Sequence, residues 1–294
     1  MNILEEGVLL LCCRLGDKQA KPMSMAQFRD LSRCVSAASL KEDGLRELTA
    51  KDLLQFGCDL PRAEEIIGLL SRQGQLERYL RQGAEKGIFP ITRLSPSYPS
   101  RFVQKKALSR PTILFALGDK SLLERPAIAV IGSRQLNPEN EAIAKAAGRL
   151  AAEEGLVLVS GGARGADTVA QQACLDAGGR CVIFSADRLD EQTPHDRLLY
   201  VSAEGYDIPF SAIRALQRND LIHMLGEKTI AVQCTLGKGG TWRGCIDNLK
   251  HRWSELYVFD DGSEAMSALM AQGATGFRNL SSIEDLQNTQ TSLF

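Results

Sequence analysis

Ala127-Ile128-Ala129-Val130-Ile131-Gly132-Ser133-Arg134 and Leu156-Val157-Leu158-Val159-Ser160-Gly161-Gly162-Ala163-Arg164-Gly165-Ala166-Asp167 decide the fold of this 294-residue chain. Each begins as an apolar run of strand length and stops at glycines beside a cation. Ala127–Ile131 and Leu156–Val159 hold no polar side chain, which predicts strands buried on both faces. Between them, Pro138 and Glu139 open a helix that runs through Ala142, Ala146, Ala147, Leu150 and Ala151. A second helix is expected from about Asp167 to Ala177. Cys181–Phe184, Thr229–Val232 and Leu256–Phe259 repeat the strand pattern, and a last helix is expected near Glu264 to Met270. Apolar strands alternating with helices make βαβ units with right-handed crossovers. The expected class is α/β: an extended Rossmann-like parallel sheet flanked by helices, with a small N-terminal helical domain.

Outward from this core the chain divides into further parts. Residues 1–87 read as helical. Val8, Leu9, Leu10, Leu11 and Leu15 form one apolar stretch, and Phe28, Leu31, Val35 and Ala38 recur at helical spacing. Thr49 with Asp52 makes a capping box, Pro61 suits a helix start, and Gly87 suits the end of a helix over 75–86. Residues 88–126 hold Pro90, Pro96, Pro99, Pro111 and Pro126 and read as a proline-rich connector with short extended pieces such as Thr112–Ala116. Its basic strip, Arg93, Arg101, Lys105, Lys106 and Arg110, carries no acidic residue and reads first as a solvated surface. Residues 127–280 are the sheet domain, and the polar tail 281–294 is a candidate for disorder.

Composition limits the function classes. Thirty-five Lys and Arg stand against thirty-six Asp and Glu, a formal net charge of −1. A histone-like basic coat is thereby excluded, although a focused basic groove is not. No apolar run is long enough for a membrane span, and Met1–Glu6 lacks the basic start of a signal peptide. Eight cysteines without a C-x-x-C pair, and three histidines without ligand spacing, imply reduced thiols in a cytoplasmic protein and no metal site.

In a sheet of this kind ligands bind at the carboxyl ends of the strands, near the switch point. Three loops there couple glycine to a cation ahead of a helix: Gly132-Ser133-Arg134, Ser160 to Asp167, and Gly237-Lys238-Gly239-Gly240-Thr241. Glycine admits close approach of the backbone, and a helix start offers free N–H groups and partial positive charge. Arg134, Arg164 and Lys238 are therefore expected to converge on phosphate or a phosphodiester. Arg218 and Asn219, ahead of the apolar Leu221–Leu225, either donate to phosphate or cap that helix. The fingerprints of dinucleotide and P-loop sites are absent, so no cofactor is expected.

Together these loops resemble the DNA-processing protein A family, DprA or Smf. The resemblance rests on Gly132-Ser133-Arg134, on Ser160 to Asp167, on Arg218-Asn219 and on Lys238-Gly239-Gly240-Thr241. Upstream, Tyr98-Pro99 and Pro111 to Asp119 are similar to the family's lead-in. The resemblance implies non-catalytic single-stranded DNA binding, a homodimer, and handover of DNA to the RecA recombinase in natural transformation. It implies that Arg134, Arg164, Arg218 and Lys238 contact phosphates while Gly161, Gly162 and Gly240 shape the loops. Ser133, Ser160, Asn219 and Thr241 complete the expected DNA-binding set. The sequence ends soon after the fifth strand and last helix, so a divergent member lacking the C-terminal winged helix is expected.

Rings near the loops are candidates to stack bases: Trp242, Tyr206 and Phe210. Core packing is the favoured reading for Phe210 and open for Trp242. Two other functions remain. Gly237 to Thr241 echoes the loop of LOG-type nucleotide phosphoribohydrolases, but the position of their catalytic Glu falls near Gly244, with Asp247 the nearest carboxylate. A nucleotide sensor reporting through the helical N-terminal region is the other.

Overall fold

The computed structural model describes residues 1–37, 48–105, 110–284 and 286. Among them nine strands share one sheet: β1 (Ile88–Thr92), β2 (Ile113–Gly118), β3 (Ala127–Ile131), β4 (Val157–Ser160), β5 (Arg180–Phe184), β6 (Leu198–Ala203), β7 (Lys228–Ala231), β8 (Glu255–Phe259) and β9 (Thr275–Phe277). Their order is β1-β2-β6-β5-β4-β3-β7-β8-β9. From β6 to β9 neighbouring strands are parallel, whereas β1–β2 and β2–β6 are antiparallel. The core is thus the α/β Rossmann-like fold read from the apolar runs, extended at one edge into a mixed sheet.

That edge changes the reading of residues 88–126. They supply β1 and β2 to the sheet, in register from Ile88 opposite Leu117 to Thr92 opposite Ile113. Pro90 is tolerated because β1 is an edge strand, where one side of the backbone needs no ladder partner. The start of the tail also packs inward. Ile283 and Leu286 are buried in the core, and Ile283 N–H donates to Glu154 at 2.8 Å. Residues 285 and 287–294 of the tail, like Ala38 and Lys106, lie outside the described residues.

Helices follow the sequence signals closely. They are α1 (Ile3–Cys12), α2 (Met25–Ala37), α3 (Ala50–Gln55), α4 (Leu60–Leu70), α5 (Gln73–Glu85), α6 (Ser100–Gln104), α7 (Pro138–Glu153), α8 (Ala166–Asp176), α9 (Ala212–Leu225), α10 (Gly239–His251) and α11 (Glu264–Ala271). The Thr49–Asp52 capping box is present, and Gly87 follows α5 with φ of 74°, a conformation glycine adopts without penalty. One face of the sheet buries Leu221 and Ile222 of α9, Cys245 of α10 and Met266 of α11. The other buries Ala144 and Leu150 of α7 and Ala170 and Cys174 of α8. Helix α1 is shared: Leu11 joins a core with Leu53 and Ile66, while Leu9 joins one with Tyr79, Phe115 and Tyr206 against β1 and β2. The N-terminal helices are therefore anchored on the antiparallel edge.

The basic strip has a specific structural use. Arg101 pairs with Glu227 at 2.6 Å and donates to the carbonyls of Arg125 and Leu225. Lys105 Nζ donates to the carbonyls of Met224 and Gly226 at 2.7 and 3.2 Å. Both cations satisfy the open carbonyl end of α9, where the helix dipole is negative. Arg110 donates to the carbonyls of Phe102 and Val103. Among the described members only Arg93, whose guanidinium reaches Met25 Sδ at 3.6 Å, contacts no carbonyl or carboxylate through its side chain.

Candidate functional site

From β3 the chain steps outward in one direction to β4, β5 and β6, then crosses to β7 on the other side of β3. The switch point therefore lies between β3 and β7, and a crevice opens there beyond the strands' carboxyl ends. Two adjoining cavities occupy this edge. One, of about 830 Å³, is lined by Ser133, Arg134, Gly161, Gly162, Arg164 and Phe210 among others. The second, of about 580 Å³, lies between the β3 and β7 loops and takes in Asn219, Lys238, Gly240 and Thr241. Ser133, Arg134, Ala163, Phe210 and Arg218 border both. All three glycine-rich loops thus meet along one depression.

The expected site residues divide into two groups there. Arg134, Arg164 and Lys238 are exposed, and their side chains make no hydrogen bond or ion pair among the described residues. Gly162, with φ of 67°, lies open beside them. The other polar members are engaged inside the protein. Ser160 is fully buried, and its Oγ accepts from Gln171 Nε2. Thr241 Oγ1 donates to the Gly132 carbonyl at 2.9 Å, tying α10 to the β3 loop. Asn219 Nδ2 donates to the Gly240 carbonyl at 3.1 Å. Ser133 lends its carbonyl to Ala166 N at 3.1 Å and so docks the start of α8. These bonds hold the three loops to one another.

Arg218 stands between the groups. It lies inside α9, whose N-cap is Ser211, so neither it nor Asn219 caps a helix. Its guanidinium packs against Gly161, where a Cβ would collide with it, and Nη1 donates to the Phe184 carbonyl at 3.0 Å. Its Nε is buried without a partner. Asp167, also buried, accepts from the backbone N–H of Gly161 and Ala163 at 3.0 and 3.2 Å. Burial pushes the Asp167 carboxyl up, against the opposing pull of Arg218 and those two amides. Burial likewise pushes the Arg218 guanidinium down, offset by Asp167. Their mutual attraction braces the Gly161-Gly162 turn from beneath.

The rings sort differently from the sequence reading. Phe210, expected in the core, is 53% exposed and borders both cavities. Tyr206 is buried and stacks on Tyr79 at 4.3 Å. Trp242 is partly buried against the core. Gln171, Ser185, Asp187 and Gln192 also line the larger cavity and belong to no motif visible in the sequence.

A Rossmann-like sheet whose glycine-and-cation loops gather at the switch point places the chain in the class of α/β proteins with a glycine-lined crevice at the strand ends. The family model of DNA recombination-mediator protein A matches residues 90–287, and the chain belongs to that family. It is 38% identical over 164 residues to DNA processing protein DprA of Streptococcus pneumoniae, covering 51% of this chain and 57% of that protein. It is 30% identical over 125 residues to DNA processing protein DprA of Bacillus subtilis, covering 42% of this chain and 41% of that one. These matches span about half the length of the curated relatives. The X-ray structure of the Streptococcus pneumoniae protein superposes with a TM-score of 0.72, covering 98% of this chain and 97% of that one at 20% identity. DNA processing protein A from Helicobacter pylori, described for its single-stranded DNA binding mode, superposes with a TM-score of 0.57 at 25% identity, covering 69% of this chain and 93% of that one.

Proposed function

We propose that this chain is a non-enzymatic, cytoplasmic single-stranded DNA-binding protein. The crevice between β3 and β7 holds the phosphodiester backbone, with Arg134, Arg164 and Lys238 as phosphate contacts and Phe210 as a base-stacking ring. Acting as a homodimer, it passes the strand to the RecA recombinase during natural transformation. One observation carries the reading: three exposed cations, unpaired among the described residues, border a single depression formed by glycine-rich turns. Family membership and the single-strand binding described for the Helicobacter pylori protein support it. The binding set Gly132, Ser133, Arg134, Ser160, Gly161, Gly162, Arg164, Arg218, Asn219, Lys238, Gly240 and Thr241 divides accordingly. Arg134, Arg164 and Lys238 touch the strand, and the others shape and brace the loops.

The phosphoribohydrolase alternative gains no support. Gly244 is buried, and a Cβ there would come 3.0 Å from His223 Nε2, so a longer side chain at that position is crowded by His223. Asp247 pairs with Arg243 at 3.5 Å, and Asp167 faces the backbone of its own loop. Fluorescence anisotropy with single- and double-stranded oligonucleotides at two salt concentrations tests the proposal. Preference for single strands with a steep salt dependence is expected, and no binding at low salt sinks it. Sedimentation tests the dimer, and RecA assembly on single strands with and without the protein tests the handover.

A further inference from the structure

A third cavity, of about 460 Å³, lies on the other side of Arg218, enclosed between the N-terminal helices and the ends of β5 and β6. Ser185 and Arg218 border both it and the 830 Å³ cavity, so the two adjoin along the strand ends. Its chemistry differs from that of the phosphate crevice. No glycine lines it among the described residues, and its walls include Met23, Met25, Pro111, Val201 and Leu221. Of the four arginines that line it, Arg110, Arg214 and Arg218 donate to backbone carbonyls, Arg214 to those of Ala186, Ile208 and Pro209 and also to Ser202 Oγ, while Arg14 is exposed. A cavity with apolar walls and no glycine turn suits a flat heterocycle better than a phosphate.

Glu204 stands at this cavity in a left-handed backbone conformation, with φ of 73°. A residue with a Cβ occupies that region at a cost, so its presence at a cavity points to use. Its carbonyl accepts from Cys13 Sγ at 3.2 Å, which ties it to the N-terminal portion. Its side chain is exposed and makes no hydrogen bond or ion pair among the described residues, and its charge is felt by Arg214 across the cavity. A free carboxylate accepts hydrogen bonds and cannot donate them.

We propose that this cavity is a nucleobase pocket, roofed by the N-terminal helices, in which Glu204 selects bases carrying an exocyclic amine. It rests on the adjoining crevice being a single-strand site. A strand running from Lys238 past Arg134 and Arg164 turns one base over Ser185 into the pocket. Cytosine offers an amine to the Glu204 carboxylate, whereas thymine places a carbonyl oxygen at the same position and meets repulsion. The N-terminal helical portion thereby acquires a role in discrimination, while the glycine loops supply affinity that is blind to sequence.

Oligo-dC and oligo-dT of about 20 nucleotides, both flexible pyrimidine strands, provide the test by fluorescence anisotropy. The wild type is expected to hold oligo-dC about fivefold or more tighter than oligo-dT. Glu204→Gln, whose amide both donates and accepts, should bring the ratio to near one with oligo-dT affinity retained. Glu204→Gly should do the same, with a Tm no lower than wild type because glycine suits the backbone there, which separates lost selection from lost folding. Arg134→Ala should weaken both oligomers equally. Equal wild-type affinities, or a preference that survives Glu204→Gln, overturn the pocket alone. Failure to bind either oligomer overturns the single-strand reading and the pocket with it.

Discussion

The guanidinium of Arg218 rests on the backbone of Gly161, in the space a Cβ of residue 161 would fill. Through this contact α9 reaches across the strand ends and supports the turn after β4. Replacing Gly161 with Ala forces the guanidinium off its seat and away from the Phe184 carbonyl, with which it makes a 3.0 Å bond. Overpacking of this kind costs on the order of 1–3 kcal/mol. Gly161→Ala is expected to lower the urea midpoint without changing the m-value, and also to weaken single-strand binding by disturbing the turn that carries Gly162. An unchanged midpoint would show that Arg218 moves aside freely.

Asp167, facing Arg218, supplies a pH dependence with a definite sign. Burial raises its folded-state pKa above the unfolded value. The stability linked to this group is therefore fully present below the unfolded pKa and is lost as pH rises through the raised folded pKa. Comparing wild type with Asp167→Asn isolates it, since the amide does not titrate. The stability difference, wild type minus variant, should shrink as pH rises from about 4, the unperturbed Asp range, toward neutrality. Denaturant melts across that interval check the slope, and a difference that grows with pH contradicts the assignment.

Much of this organisation is legible in the sequence because each part depends on local chemistry. β3, β4, β5, β7 and β8 are short apolar runs, and strands buried on both faces must read that way. β1 is harder to see: Pro90 interrupts it, and only its edge position makes that harmless. β9 has three residues, too few for any period to show. At the candidate site, glycines beside cations mark the loops, and their gathering follows from strand order. What Ser160, Asn219 and Thr241 do is not legible, because Gln171, Gly240 and Gly132, their partners, are chosen by tertiary packing. Phe210 escaped for a similar reason. It sits in the loop before α9, outside any hydrophobic period that could assign it to core or surface.

Arg134 and Lys238 differ from the bracing residues in that their side chains make no hydrogen bond or ion pair among the described residues. Arg134→Ala and Lys238→Ala should leave thermal stability within about 0.5 kcal/mol of wild type, as exposed substitutions usually do. Each should weaken single-strand binding and reduce the slope of log K against log salt by about 0.7 if it removes one phosphate contact. Anisotropy titrations at several salt concentrations measure both quantities. Unchanged affinity in both variants would remove the crevice from consideration.

Lys105 is the counter-case, a cation from the same basic chemistry committed to structure. Its Nζ bonds to the Met224 and Gly226 carbonyls close the end of α9. Lys105→Met keeps much of the aliphatic stem and removes the donors, at an expected cost of about 1 kcal/mol from the helix end and the carbonyls left open. Because α9 also carries Arg218, less than two helical turns before Met224, fraying at this end bears on the crevice, but Arg218 is held separately by the Phe184 carbonyl and the Gly161 backbone. Single-strand affinity at fixed salt should therefore stay within about twofold of wild type, less than 0.5 kcal/mol, while the melting midpoint falls. A loss of affinity as large as that of Lys238→Ala would instead place this strip in the DNA path.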